Sequence, residues 1–258
     1  MTMSNATTLN NTVTPVKHPP LFSRWGVFVL IVGVVLAFFM SQLLGIYIAG
    51  KLLLPAASSS SVGNIFFFGS ANGTVVSVSI IISWVLLTAL SVSTVHLKGG
   101  KIRRYLALTP FSLTVAAGMF GLLLLFMIGS QALTYLLDKS PLLFVDPLYE
   151  SVSSVWLLIL AIVIVAPIYE ELVFRGLLWS AIAEQFSEQR GAIIASIITS
   201  LIFAVIHLQY GLYEISTIVI LAFIFCYARI KSGSLLLPII LHIINNGAAM
   251  WQYLAQVT

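Results

Sequence analysis

The sequence predicts an all-α fold, a polytopic helical membrane protein with about seven transmembrane helices, and three observations carry that expectation. Of 258 residues, 60% are hydrophobic and only 8% are charged. The apolar residues stand in long unbroken blocks, too long for the short alternating strands of a barrel. The basic residues collect beside those blocks rather than inside them. Lipid offers the backbone no hydrogen bonds, so a chain this apolar must satisfy itself internally, and blocks of this length do so as helices.

A spanning helix needs roughly 20 apolar residues. Reading for that length gives candidates at 25–50, 74–97, 111–137, 152–180, 190–209, 212–230 and 234–254. The breaks between them carry turn or charged residues: Ser58 to Gly63, Lys98 to Arg104, Asp138 to Pro147, Glu184 to Arg190, Gln209 to Gly211, and Lys231 to Gly233. Residues 1–20 are polar, rich in Thr and Asn, and closed by Pro19 and Pro20, as in a disordered tail. They precede an expected N-terminal region of three spans (21–145) and a C-terminal region of four (146–258).

Alternate loops differ in charge. Lys17, Arg24, Lys98, Lys101, Arg103, Arg104, Arg190, Arg229 and Lys231 fall on one side, and Lys51 and Lys139 on the other. The positive-inside rule therefore predicts a cytoplasmic N-terminus and an external C-terminus. Orientation accounts for most of the basic residues, so the net charge of +4 is no sign of nucleic-acid binding. The expected partners are the bilayer and whatever the buried site recognises. Cys226, the single cysteine, stands in an apolar stretch and reads as packing.

The last four candidate spans contain few ionisable residues: Glu170, Glu171, Arg175, His207, His242 and, close to a loop, Glu214. A charge at the bilayer centre costs about 2.5–3.5 kcal/mol on insertion scales, so such residues face the bundle interior and mark functional sites. Glu171 and Arg175 are four apart on one helix face and can neutralise each other. Glu170, about 100° further round, needs a partner from another helix. Pro167 should kink the helix just before this acidic pair. His242 and Asn246 share a face and can aim two N–H groups at one oxygen, as an oxyanion hole requires, whereas Asn245 points elsewhere.

These residues form Glu170-Glu171-x-x-x-Arg175, then Phe203-x-x-x-His207, then His242-x-x-x-Asn246. Over about residues 150–250 the chain thereby resembles the CPBP family, the CAAX-prenyl-protease and bacteriocin-processing group of intramembrane endopeptidases, also called the abortive-infection family. The resemblance implies a four-helix catalytic core in which Glu170 and His207 activate a water while His242 and Asn246 hold the oxyanion. Arg175 then steadies Glu171. The implied substrate is a protein or peptide, membrane-anchored or prenylated. A zinc-dependent version would use Glu170, His207 and His242 as ligands, but leaves Asn246 without a role, so no cofactor is the favoured expectation. A non-proteolytic membrane scaffold or regulator locked by the same polar cluster is the alternative from another class.

One conflict is visible already. At 1.5 Å per residue His207 lies roughly 25 Å beyond Arg190, but His242 only roughly 13 Å beyond Gly233. To meet, the fifth span must carry a cytoplasmic helical extension or lie at a steep tilt.

Overall fold

The computed structural model describes residues 19–139, 145–207 and 209–257. Expectations for the tail before residue 19 and for residues 140–144 of the third loop lie outside the described residues. The architecture is all-α and polytopic. In chain order the helices are α1 (Arg24–Leu53), α2 (Val62–Gly69), α3 (Gly73–Leu97), α4 (Ile102–Tyr105), α5 (Leu113–Leu136), α6 (Asp146–Ser151), α7 (Val155–Ala183), α8 (Glu188–Val205), α9 (Leu212–Ser232) and α10 (Leu236–Val257). Among the described residues, six are long and apolar enough to cross a membrane: α1, α3, α5, α7, α8 and α9. The seventh expected span, α10, has 22 residues. His242, Asn245, Asn246 and Gln252 lower its hydropathy, so its polarity and its place at the site have the same cause.

Local chemistry sets several boundaries. The Ser23 and Asn72 side chains accept from Gly26 and Val75 N–H and start α1 and α3. The helix α2, not foreseen from the sequence, starts where Ser61 accepts from Asn64 N–H. Gly233 closes α9 in the left-handed conformation (φ 64°), which a glycine adopts without steric cost, and turns the chain directly into α10.

Packing places α7 at the centre. Residues of α1 (Val34, Phe38) and α3 (Ile80, Leu87) join Tyr169, Phe174 and Leu177 of α7 and Phe203 of α8 in one buried core. A second core joins α5 (Met119, Leu123) to α9 (Leu221, Phe225) and α10 (Leu237, Leu241). Close approach of α1 and α3 depends on Gly45, where a Cβ would come within 2.8 Å of the Ser79 carbonyl oxygen.

The connections gather at two ends. At one, Glu184 accepts from Phe22 N–H (3.2 Å) and Tyr105 Oη (3.1 Å), and Leu235 N–H reaches Ala107 O (2.8 Å). This end unites the start of α1 with the α3–α5, α7–α8 and α9–α10 connections and carries most of the basic residues. Burial and the Glu184 carboxylate push the Tyr105 hydroxyl up, so it stays protonated as the donor in that contact. At the other end, Ser151 Oγ accepts from Gly73 N–H (2.8 Å) and Thr134 bonds Tyr213 (2.7 Å). The alternation read from charge is thus the alternation of the fold.

Candidate active site

The central helix α7 is irregular where the sequence places Pro167. It has two π-helical stretches, Leu160–Val165 and Leu172–Leu178, around an α-helical piece, Ala166–Glu171. Proline removes a helical N–H, and a widened turn is one way to absorb the loss. Ala166 N–H reaches back five residues to Ala161 O. Ile162 O would look to residue 167 for the same bond, and Pro167 has none to give. Asn246 Nδ2 of α10 donates to that carbonyl instead, at 3.1 Å. The irregularity expected at Pro167 is therefore a π-helical stretch just before it, tied to α10 by Asn246.

The acidic piece between the π turns presents both glutamates to α10. His242 Nδ1 lies 3.0 Å from Glu171 Oε1, and His242 Nε2 lies 3.8 Å from Glu170 Oε2. Glu171 Oε1 also takes Arg175 Nη1 at 2.9 Å, with both side chains fully buried. Arg175 Nη2 donates to Ala222 O of α9 (3.2 Å), and its guanidinium lies over the Phe203 ring, 4.4 Å from the centroid. Since Glu171 is held as a carboxylate by arginine, His242 Nδ1 carries the hydrogen of their shared bond, leaving Nε2 to face Glu170. No hydrogen bond to Glu170 is found among the described residues.

His207 does not lie inside the fifth span. It lies two residues beyond α8, in the turn that follows Val205, where its Nδ1 reaches Phe203 O at 2.6 Å. A carbonyl can only accept, so Nδ1 bears the hydrogen and Nε2 is left as the free acceptor. Phe203, one turn earlier, joins the two histidines: its ring centroid is 4.7 Å from that of His207 and 6.0 Å from that of His242. Burial pushes the His207 imidazole below its ordinary range, and the nearby Glu170 carboxylate opposes that shift. The two rises that looked incompatible therefore do converge, with α8 running helically from Glu188.

Sequence reasoning missed several supports. Phe203 stands in a recognised motif yet had no assigned role; it contributes both a ring and a carbonyl. Phe225 stacks on His242 with centroids 4.8 Å apart and planes at 28°. From α1, Gln42 Nε2 donates to Tyr169 Oη (3.0 Å), bracing the residue beside Glu170. Asn245, set aside as pointing elsewhere, donates to Asn246 Oδ1 (3.2 Å) and orients it. A single glutamine or phenylalanine in an apolar helix carries no pattern that would single it out.

The segment holding all six candidate residues, 152–248, matches the family model described as type II CAAX prenyl endopeptidase, Rce1-like. Over this segment the chain is similar to the Rce1-like endopeptidases. An uncharacterized 24.3 kDa protein of Escherichia coli is 33% identical over 127 residues. That alignment covers 45% of this chain and 58% of the relative's length. No solved structure matches the chain. The matched segment starts just before α7 and ends within α10, so it coincides with the helices that build the polar cluster. Among the described residues, no three His, Cys, Asp or Glu side chains gather into a metal-ligand set.

Proposed function

We propose that this protein is an intramembrane endopeptidase that hydrolyses a peptide bond of a membrane-associated or peptide-precursor substrate, without a metal. The observation that carries the reading is the unlike treatment of two adjacent glutamates. Glu171 Oε1 takes both Arg175 Nη1 and His242 Nδ1, which leaves only Oε2 without a hydrogen-bond partner, whereas Glu170, only 8% exposed, has just the 3.8 Å approach of His242 Nε2. A buried carboxylate kept free of hydrogen bonds is a proton acceptor waiting for a donor.

In the proposed reaction a water between Glu170 and the free Nε2 of His207 gives its proton to Glu170 as its oxygen attacks the scissile carbonyl carbon. The carbonyl oxygen takes the negative charge and accepts hydrogen bonds from a protonated His242 Nε2 and from Asn246 Nδ2. The charges balance: a cationic His242 with Arg175 offsets Glu170 and Glu171. As the C–N bond breaks, the proton held by Glu170, passed directly or through His207, reaches the leaving amine. Arg175 acts only through Glu171, which fixes the ring of His242.

The basic end of the bundle is proposed to face the cytoplasm. One observation favours the scaffold alternative: Asn246 and His242 already have partners within the chain, as members of a purely structural lock would. Metal analysis of purified, cleaving protein tests the metal-free part of the reading. We expect activity in preparations with substoichiometric metal and no loss on chelation; stoichiometric zinc, lost together with activity, would overturn it.

A further inference from the structure

The basic end holds a second cluster that the proposed reaction does not use. A cavity of about 800 Å³ lies there, lined in part by Lys101, Arg104, Trp179, Glu184, Glu188 and Arg229. Arg229, in the last turn of α9, is only 8% exposed. Its guanidinium lies over the Trp179 indole, 5.0 Å from the ring centroid, and its Nε has no hydrogen-bond partner. No carboxylate pairs with it among the described residues. Glu184 is engaged by Phe22 N–H and Tyr105, and Glu188 is exposed.

The contrast with Arg175 is instructive. Both guanidiniums are buried against aromatic rings, but Arg175 has Glu171 at 2.9 Å and Arg229 has no counter-ion. The carbonyl end of α9 offsets part of the cost of burying that charge. A buried cation remains expensive unless an anion completes it. Its planar face rests on tryptophan, so its N–H edges are the part left to bind, and a fork of donors suits the oxygens of a phosphate. Lys101 and Arg104, exposed on the same wall, add attraction for an anion.

We propose that this cavity is a phosphate-binding site in which Arg229 is the buried anchor and Lys101 and Arg104 are the outer cations. The phosphate comes either from the headgroup of an anionic lipid in the adjoining leaflet or from free phosphate. An anionic headgroup suits the wall better than a choline-capped one, which would bring a further cation to three.

The test needs no substrate and so stands apart from the proposed protease activity. Wild-type protein in a phosphate-free maltoside detergent is melted while short-chain phosphatidylglycerol, inorganic phosphate or a neutral alkyl glucoside is titrated in. A ligand that binds only the folded state raises the melting temperature saturably. We expect such a rise with phosphatidylglycerol, none with the glucoside, and at least tenfold weaker apparent affinity in Arg229→Gln. Without ligand that variant should melt at or above wild type, since it has lost an uncompensated charge. The exposed pair Lys101→Gln/Arg104→Gln, which cannot disturb the core, should weaken binding several-fold and gives the answer even if Arg229→Gln misfolds. Lys51→Gln, at the opposite end, should change nothing. A rise with phosphatidylglycerol alone assigns a lipid headgroup, and an equal rise with inorganic phosphate assigns the free anion. No saturable rise with either, or a rise unchanged in both sets of variants, would overturn the site.

Discussion

Replacing Arg175 by methionine keeps most of the side-chain volume and removes the charge, which isolates the electrostatic part of its role. In the wild type, Arg175 Nη1 is 2.9 Å from Glu171 Oε1, neither side chain has any exposed surface, and Nη2 bonds Ala222 O. Breaking a buried pair from one side leaves an uncompensated charge and costs about 3–5 kcal/mol. The contact with the Phe203 face belongs to the same guanidinium and goes with it. On the scale of about 2–4 °C per kcal/mol for chains of this size, the melting temperature should fall by roughly 6–20 °C. Replacing both partners behaves differently, since an apolar pair of similar volume is often neutral. Arg175→Met/Glu171→Met should therefore recover most of the loss while remaining inactive, because His242 Nδ1 has lost its acceptor. Thermal unfolding of the purified variants in detergent measures both. An Arg175→Met protein as stable as wild type, or a double variant no better than the single, would refute the claim that Arg175 compensates the buried charge of Glu171.

Further outcomes follow from the same geometry. Reporter fusions should place the loop from Lys98 to Arg104 in the cytoplasm and the C-terminus outside; a cytoplasmic C-terminus would reverse the orientation. His242→Ala and Asn246→Ala should each lower turnover by about 10²–10³ while sparing substrate affinity, since an oxyanion donor acts in the transition state. Asn246→Ala should also lower stability by about 1–3 kcal/mol, because Ile162 O loses its donor; an unchanged melting temperature would remove that structural role.

Much of this arrangement was legible before any coordinates, for physical reasons that can be named. Lipid forces backbone groups to pair within a helix, so block length alone gave α1, α3, α5 and α9 to within a few residues. The expense of buried charge singled out Glu170, Glu171, Arg175 and His242, and all four meet in space. The i,i+4 rule paired Glu171 with Arg175. What escaped was whatever depends on contacts between helices. Hydropathy cannot show that α8 stops at Val205 and leaves His207 in a turn. Nor can it show that α7 takes a π-helical stretch ahead of Pro167. The bond from Asn246 to Ile162 O needs both the missing N–H of proline and the position of α10, and only the first can be read from the chain. Phe203 and Gln42 matter through their neighbours alone.

The central claim is that Glu170 is the general base of a membrane endopeptidase. Glu170→Gln keeps the shape of the side chain, removes a charge that is costly to bury and deletes the proton acceptor. The decisive measurement compares membranes containing wild-type protein with membranes containing Glu170→Gln, scoring newly formed peptide termini by mass spectrometry, with thermal melts of both purified proteins alongside. The account predicts a variant at least as stable as wild type in whose membranes the wild-type-dependent termini are missing. A Glu170→Gln protein that yields the same termini, or one that fails to fold, would contradict it.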